Sequence, residues 1–100
     1  MISATIFTPT HDVEHLNRLA KSVYAQSCKD FEWLIVPNGS ISVEDVRNCV
    51  GINEEVNVRV IPYTGKTQNI GEIKNFCCDK SFGNILIEVD HDDEITPDCV

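Results

Sequence analysis

Residues 90 to 94 read Asp-His-Asp-Asp-Glu and follow the apolar run Ile-Leu-Ile-Glu-Val at 85 to 89. Four carboxylates within five positions repel one another and favour their protonated forms unless a cation holds them together. A divalent metal ion with oxygen ligands does that. If the extended backbone of the apolar run continues, Asp90 and Asp92 lie on one side and can face one hard cation. The same residues also read as a solvated acidic loop, because acidic turns after strands are common and two acids do not make a metal cage.

The rest of the chain must position such a site. Its 100 residues suffice for one small domain with a modest core and are few for an enzyme with two substrates. A hydrophobic share of 42% against 24% charged marks a globular composition, without internal repeats or low-complexity segments. Eight basic against sixteen acidic residues give a net charge of -8, which argues against a general nucleic-acid binder and against an anionic membrane surface. An anionic ligand would then need a local counter-charge, and a bound metal would supply it.

No apolar run approaches the roughly 20 residues that cross a bilayer. The start, Met-Ile-Ser-Ala-Thr-Ile-Phe, lacks the basic opening and long apolar stretch of a signal peptide and reads as a first strand, so a cytoplasmic protein is expected. Cys28, Cys49, Cys77, Cys78 and Cys99 are odd in number and have no paired Cys-x-x-Cys spacing. Free, partly buried thiols are expected ahead of a disulfide framework or a zinc site.

Ser3 to Thr8 reads as a strand stopped by Pro9. Asp12 can cap the helix that follows, where Val13, Leu16, Ala20, Val23 and Tyr24 recur at helical spacing and Glu14, Asn17, Arg18 and Lys21 are left to solvent. That helix is expected to end near Ser27. Phe31 to Val36 is a nearly continuous apolar run, as in a strand covered on both faces, and Pro37-Asn38-Gly39-Ser40 breaks it. Ser42 with Asp45 three residues on begins a helix over Val43 to Val50. Val56 to Ile61 reads as a third strand and Tyr63 to Asn69 as a polar loop. Ile70 to Lys80 puts Ile70, Ile73, Phe76 and Cys77 on one helical face and stops ahead of Gly83. Ile85 to Val89 reads as a buried fourth strand.

Strands alternating with helices imply right-handed crossovers and an α/β fold with a mostly parallel, four-stranded sheet flanked by helices. Such sheets bind ligands at the carboxyl ends of the strands, where strand order reverses. The loops at 9–12, 37–40, 63–69 and 90–93 all fall at that edge.

At this point the sequence resembles the family 2 glycosyltransferases. Thr5-Ile-Phe-Thr-Pro-Thr10 looks like the family's opening strand ending in Pro-Thr, and Leu19-Ala-Lys-Ser22-Val-Tyr-Ala-Gln26 is similar to its L-x-S-V-x-x-Q helix. Phe31 to Val36 with Asn38-Gly39-Ser40 looks like the second strand and its D-D-G-S loop. Asn69-Ile-Gly71 through Lys74-Asn75 resembles N-x-G-x-x-x-A-R-N, and Asp90-His91-Asp92-Asp93 resembles the D-x-D motif. Each motif alone is weak; five in order over nearly the whole chain are specific.

The resemblance implies the Rossmann-like, nucleotide-binding half of a GT-A fold spanning 1–100. It implies a nucleotide-diphosphate sugar as ligand, a UDP-sugar first, with Mn²⁺ or Mg²⁺ bridging the pyrophosphate. Pro9 and Thr10 would line the base pocket with Asp12 near it. Asn38 stands where the family usually has a base-reading acid, and Pro37 replaces the acid before it; an amide both donates and accepts, so recognition can survive with the uracil preference in question. Lys74 stands for the family's Arg and would pair a phosphate as a point charge, or it is a solvated helix lysine. Asp90 would contact the ribose and Asp92 the metal, with Asp93 a second ligand or support. His11 and His15 read as surface residues, His91 as facing solvent or else touching the metal, and Glu88 departs from the family pattern.

In this family the acceptor-binding half and the catalytic base follow the D-x-D segment, whereas this sequence ends at Cys99-Val100. Deprotonating an acceptor hydroxyl needs a base within hydrogen-bond reach, and none is assigned here. Two expectations follow. One is the donor half of a sugar transferase, truncated after D-x-D and completed by an acceptor domain or another chain. The other is a non-catalytic nucleotide-sugar-binding module or remnant; an isolated half that normally packs against a second lobe would expose apolar surface open to self-association or to a missing acceptor domain.

Overall fold

The structure, a computed structural model, describes residues 4–14, 16–27, 29–39, 41–51, 54–64, 70–81, 83 and 85–89. Strands and helices alternate along the chain as β1 (Ala4–Thr10), α1 (Leu16–Tyr24), β2 (Phe31–Pro37), α2 (Val43–Val50), β3 (Asn57–Val60), α3 (Ile70–Lys80) and β4 (Ile85–Glu88). The four strands form one parallel sheet in the order β3-β2-β1-β4. The α/β class and the parallel, helix-flanked sheet are therefore as the sequence predicts. Among the described residues no helix is long and apolar enough to cross a membrane.

The first two crossovers step outward from β1 to β3, and the third returns across the sheet to place β4 on the other side of β1. Reversing direction with one crossover hand moves the connecting helix to the opposite face. The side chains obey. Ile6, Trp33 and Ile35 pack with Leu16, Leu19, Val23, Val46 and Val50 from α1 and α2, whereas Phe7, Leu34 and Val36 pack with Cys77 and Phe76 of α3. β1 and β2 are consequently buried at every position, which is why they read as unbroken apolar runs.

The larger face is tied together around Trp33. Its indole Nε1 donates to the Thr8 hydroxyl at 3.0 Å, and its ring meets Tyr24 edge-on with centroids 5.9 Å apart. The Tyr24 hydroxyl continues to the Val50 carbonyl at 2.9 Å, so one aromatic pair joins α1, β2 and the end of α2. Such an edge-to-face pair adds about 0.5–1.5 kcal/mol to its area burial.

On the α3 face the interior holds a charge. Glu32 is wholly buried, and its carboxylate accepts from the Thr5 hydroxyl at 2.7 Å and from Arg59 Nε at 2.6 Å. Arg59 in turn donates through a terminal nitrogen to the Lys80 carbonyl, and Thr5 Oγ1 accepts from the Gly83 amide at 2.8 Å. Three strands and the segment between α3 and β4 thus meet on one carboxylate near the amino ends of the strands. Gly83 has no room for a side chain: an added Cβ would lie 2.4 Å from the Ala4 carbonyl carbon, far inside contact distance.

Several boundaries differ from the sequence reading. β1 runs through Pro9 to Thr10. Alternation turns the missing Pro9 donor toward β4, and the described ladder on that side closes with Val89 N–H donating to Phe7 O, so no β1–β2 bond is lost. α1 is shorter at both ends. Asp12 Oδ1 accepts from the Glu14 amide at 2.9 Å in a turn ahead of the helix, and Lys29 Nζ caps the Tyr24 and Gln26 carbonyls at the other end. β4 is not the buried strand its composition implies, because it is the outermost strand of the described sheet: Ile85 is 60% and Leu86 41% exposed.

The described thiols Cys49, Cys77 and Cys78 are free, with Cys77 buried and Cys78 exposed, as the helical stripe predicts; Cys28 and Cys99 lie outside the described residues. Burial, reinforced by Cys78 and Glu88, pushes the Cys77 thiol up to about 12, leaving almost no thiolate near neutral pH. Limited alkylation of the native protein at pH 8 with peptide mass mapping is expected to label Cys78 well before Cys77; the reverse order contradicts the register of α3.

Removing one partner of a buried pair leaves an uncompensated charge, which costs about 3–5 kcal/mol. In urea denaturation Arg59→Ala is expected to lose about 3 kcal/mol or more, and the paired change Glu32→Leu with Arg59→Leu to lose less than Arg59→Ala alone. Gly83→Ala, whose added carbon meets backbone, is expected to cost more than about 2 kcal/mol.

Candidate functional site at the carboxyl edge of the sheet

The reversal of strand order falls between β1 and β4. Open α/β sheets bind ligands in the crevice at such a point. The β1–β2 register ends on the pair Thr10 and Pro37, and one further bond extends it, Asn38 N–H donating to Thr10 O at 2.8 Å, while on the other side of β2 Tyr63 N–H donates to Pro37 O at 3.0 Å and carries on the pairing with the chain after β3. Asn38 is thereby fixed beside the end of β1. Gly39 follows with φ 71°, in the left-handed region, and a Cβ added there would lie 3.7 Å from His11 Cβ. Glycine permits this turn at low cost, and the turn brings 38–39 against 10–11.

Thr10 is wholly buried. Its hydroxyl donates to the Asp12 carbonyl at 2.6 Å and lies 3.4 Å from the Asp12 amide. That side chain shapes the turn. Pro9 is buried, Asp12 and His11 are exposed, and Asn38 is partly exposed. The structure therefore brings Pro9, Thr10, Asp12 and Asn38 together at one edge, with His11, which the sequence reading left on the surface without a role, among them.

Lys74 lies in the first half of α3, the end of that helix nearest the carboxyl edge. Its Nζ pairs with Glu88 Oε2 at 2.8 Å, with the two side chains 43% and 34% exposed. Glu88, unexplained within an apolar strand, thus has a counter-charge on the helix that covers it. No spacing rule relates positions 74 and 88. A partly exposed acid does not demand a counter-charge, so the sequence carried no firm signal for this pair.

Val89 is the last described residue, bonded to Phe7 at the carboxyl end of β4. Asp90, Asp92 and Asp93 follow it in sequence and lie outside the described residues, as does the loop at 65–69. Among the described residues no group of three or more His, Cys, Asp or Glu side chains could hold a metal ion. Two open grooves of about 570 and 620 Å³ lie elsewhere, on α2 and the outer side of β3. Both are lined by Arg47 and Asn48, the one of about 620 Å³ also by Ser42 and Glu44, the other by Asn57 and Val58. None of Pro9, Thr10, Asp12, Asn38 or Lys74 lines either one. We place the candidate site at the carboxyl edge because the polar groups converge there, and groove volume alone carries no chemistry.

The fold and the sequence both have known counterparts. Structures of S. aureus TarS match closely in shape. The TarS 1-349 structure superposes with a TM-score of 0.76 at 22% identity, covering 96% of this chain and 29% of that one. TarS 1-349 in complex with UDP-GlcNAc gives the same TM-score, identity and coverage of this chain, with 28% of its own chain covered. The complex with UDP gives 0.76 at 24% identity over 97% and 29%. The chain spans less than a third of these proteins, and the likeness shows a shared fold. A comparison with curated proteins returns no match. The sequence profile described as Glycosyl transferase family 2 matches residues 5–100, which is nearly all of the chain, and the protein belongs to that family.

Proposed function

We propose that the carboxyl edge binds a nucleoside-diphosphate sugar together with Mn²⁺ or Mg²⁺, as the donor site of a sugar transfer to an acceptor hydroxyl. The observation that carries this reading is the convergence of Pro9, Thr10, Asp12 and Asn38 at the strand-order reversal, where the chain also leaves β4 for its acidic run. In this reading the turn at 9–12 and the Asn38 amide border the base, Asp90 meets the ribose, and Asp92 with Asp93 holds the metal. Lys74 meets a phosphate.

The donor set fits the metal chemically. Carboxylate oxygens suit hard divalent cations such as Mg²⁺ and Mn²⁺. When bound, such an ion offsets the negative charge that builds on the departing diphosphate. In a chain of net charge -8, that counter-charge also favours the approach of a diphosphate. The uridine nucleotides held by the TarS structures make UDP the first ligand to test. Asn38 in place of an acid makes GDP the second, because an amide side chain can satisfy more than one base edge.

Calorimetry of the chain with UDP, in Mn²⁺ and in chelator, tests the reading. Binding is expected in Mn²⁺ and to weaken by tenfold or more, about 1.4 kcal/mol, in chelator or in Asp92→Asn. Equal affinity in chelator, or an unaltered Asp92→Asn, would contradict a metal-bridged diphosphate. GDP in the same panel decides how far Asn38 relaxes base choice.

A further inference from the structure

We propose that Glu88 is a positioning residue that holds Lys74 and sets the affinity of the edge for a nucleoside diphosphate, an inference that rests on the nucleotide-binding reading above. Register pairs Glu88 with Phe7, and strand alternation turns it toward α3 while its neighbour Ile87 packs on the α1 and α2 side. Its carboxylate meets Lys74 Nζ at 2.8 Å. Glu88 stands one residue before Val89, the last described residue ahead of the acidic run in the sequence.

Two charge pairs on this face of the sheet differ in one decisive respect. Glu32 is wholly buried with Arg59 against it, so separating those two would strand a charge in the interior. Lys74 and Glu88 are both partly exposed, and water can replace either partner. A pair of that kind holds weakly, so a diphosphate can take Lys74 from it. While Lys74 is engaged by Glu88 it is withheld from a phosphate, and apparent affinity falls by the fraction of time it is engaged. The Glu88 charge also repels the incoming anion. For an exposed pair the combined effect is about two- to fivefold in affinity.

The test is a double-mutant cycle read by calorimetry with UDP and Mn²⁺ on wild type, E88Q, K74A and E88Q/K74A, with amide NMR titrations of uridine as the phosphate-free control. E88Q is expected to tighten UDP by about two- to fivefold and K74A to weaken it. The gain from E88Q should shrink once Lys74 is gone, and uridine should bind E88Q and wild type alike. E88A is carried alongside, so that a folding defect in one variant leaves the other to decide. An E88Q variant with unchanged or weaker UDP binding, a gain that persists undiminished without Lys74, or an equal shift with uridine would overturn the role of Glu88 alone. A wild-type chain that binds no UDP in Mn²⁺ overturns the nucleotide site and this role with it.

Discussion

One buried carboxylate organises the sheet. Glu32 accepts from Thr5 on β1 and Arg59 on β3, and Arg59 and Thr5 reach on to Lys80 and Gly83. A carboxylate without partners in that position would cost several kcal/mol, which favours the arrangement of the three strands and the end of α3 that satisfies it. The network lies at the amino ends of the strands. It ties the strands together at the end opposite the proposed site, and among the described residues the charge pair nearer the carboxyl edge, Lys74 with Glu88, is partly exposed.

That polarity divides the work of the molecule. At the amino side, contacts are close, down to a glycine that a single added carbon would push into the Ala4 backbone. At the carboxyl side, Thr10 and Asn38 zip β1 to β2 through backbone bonds, while Asp12, His11 and the Lys74–Glu88 pair stay open to water in whole or in part. Polar groups held by a rigid frame yet hydrated are what a charged ligand can engage without first breaking the core.

The elements specified by neighbouring residues were legible in the sequence. Ser42 and Asp45 form the reciprocal cap, and α2 begins and ends where that cap and Gly51 place it. The stripe of Ile73 and Cys77 gave α3 and the order of its thiols. What depended on distant partners was not legible. Pro9 looked like a strand stop because its tolerance depends on which neighbour its missing donor faces. Glu32 and Arg59 stand 27 positions apart and Lys74 and Glu88 share no local spacing, so neither pair leaves a periodic trace. β4 reads as buried from its apolar residues alone, whereas exposure depends on what lies beside it in the sheet. Pro9, Thr10, Asp12 and Asn38, which the motifs named, lie near one another at the end of β1 and β2, but the motifs could not show that the Thr10 hydroxyl is committed to its own turn.

The central claim, that the metal and diphosphate meet at the end of β1 and β4, is tested most directly by the paramagnetism of Mn²⁺. Substoichiometric Mn²⁺ with UDP, added to isotopically labelled protein, broadens amide signals steeply with proximity to the ion. The account predicts the strongest broadening at Thr10, Asn38, Gly39 and Val89, with Arg47, Asn48 and Asn57 comparatively sharp. Broadening centred on Arg47, Asn48 and Asn57, or spread without preference over the exposed acids, would contradict it.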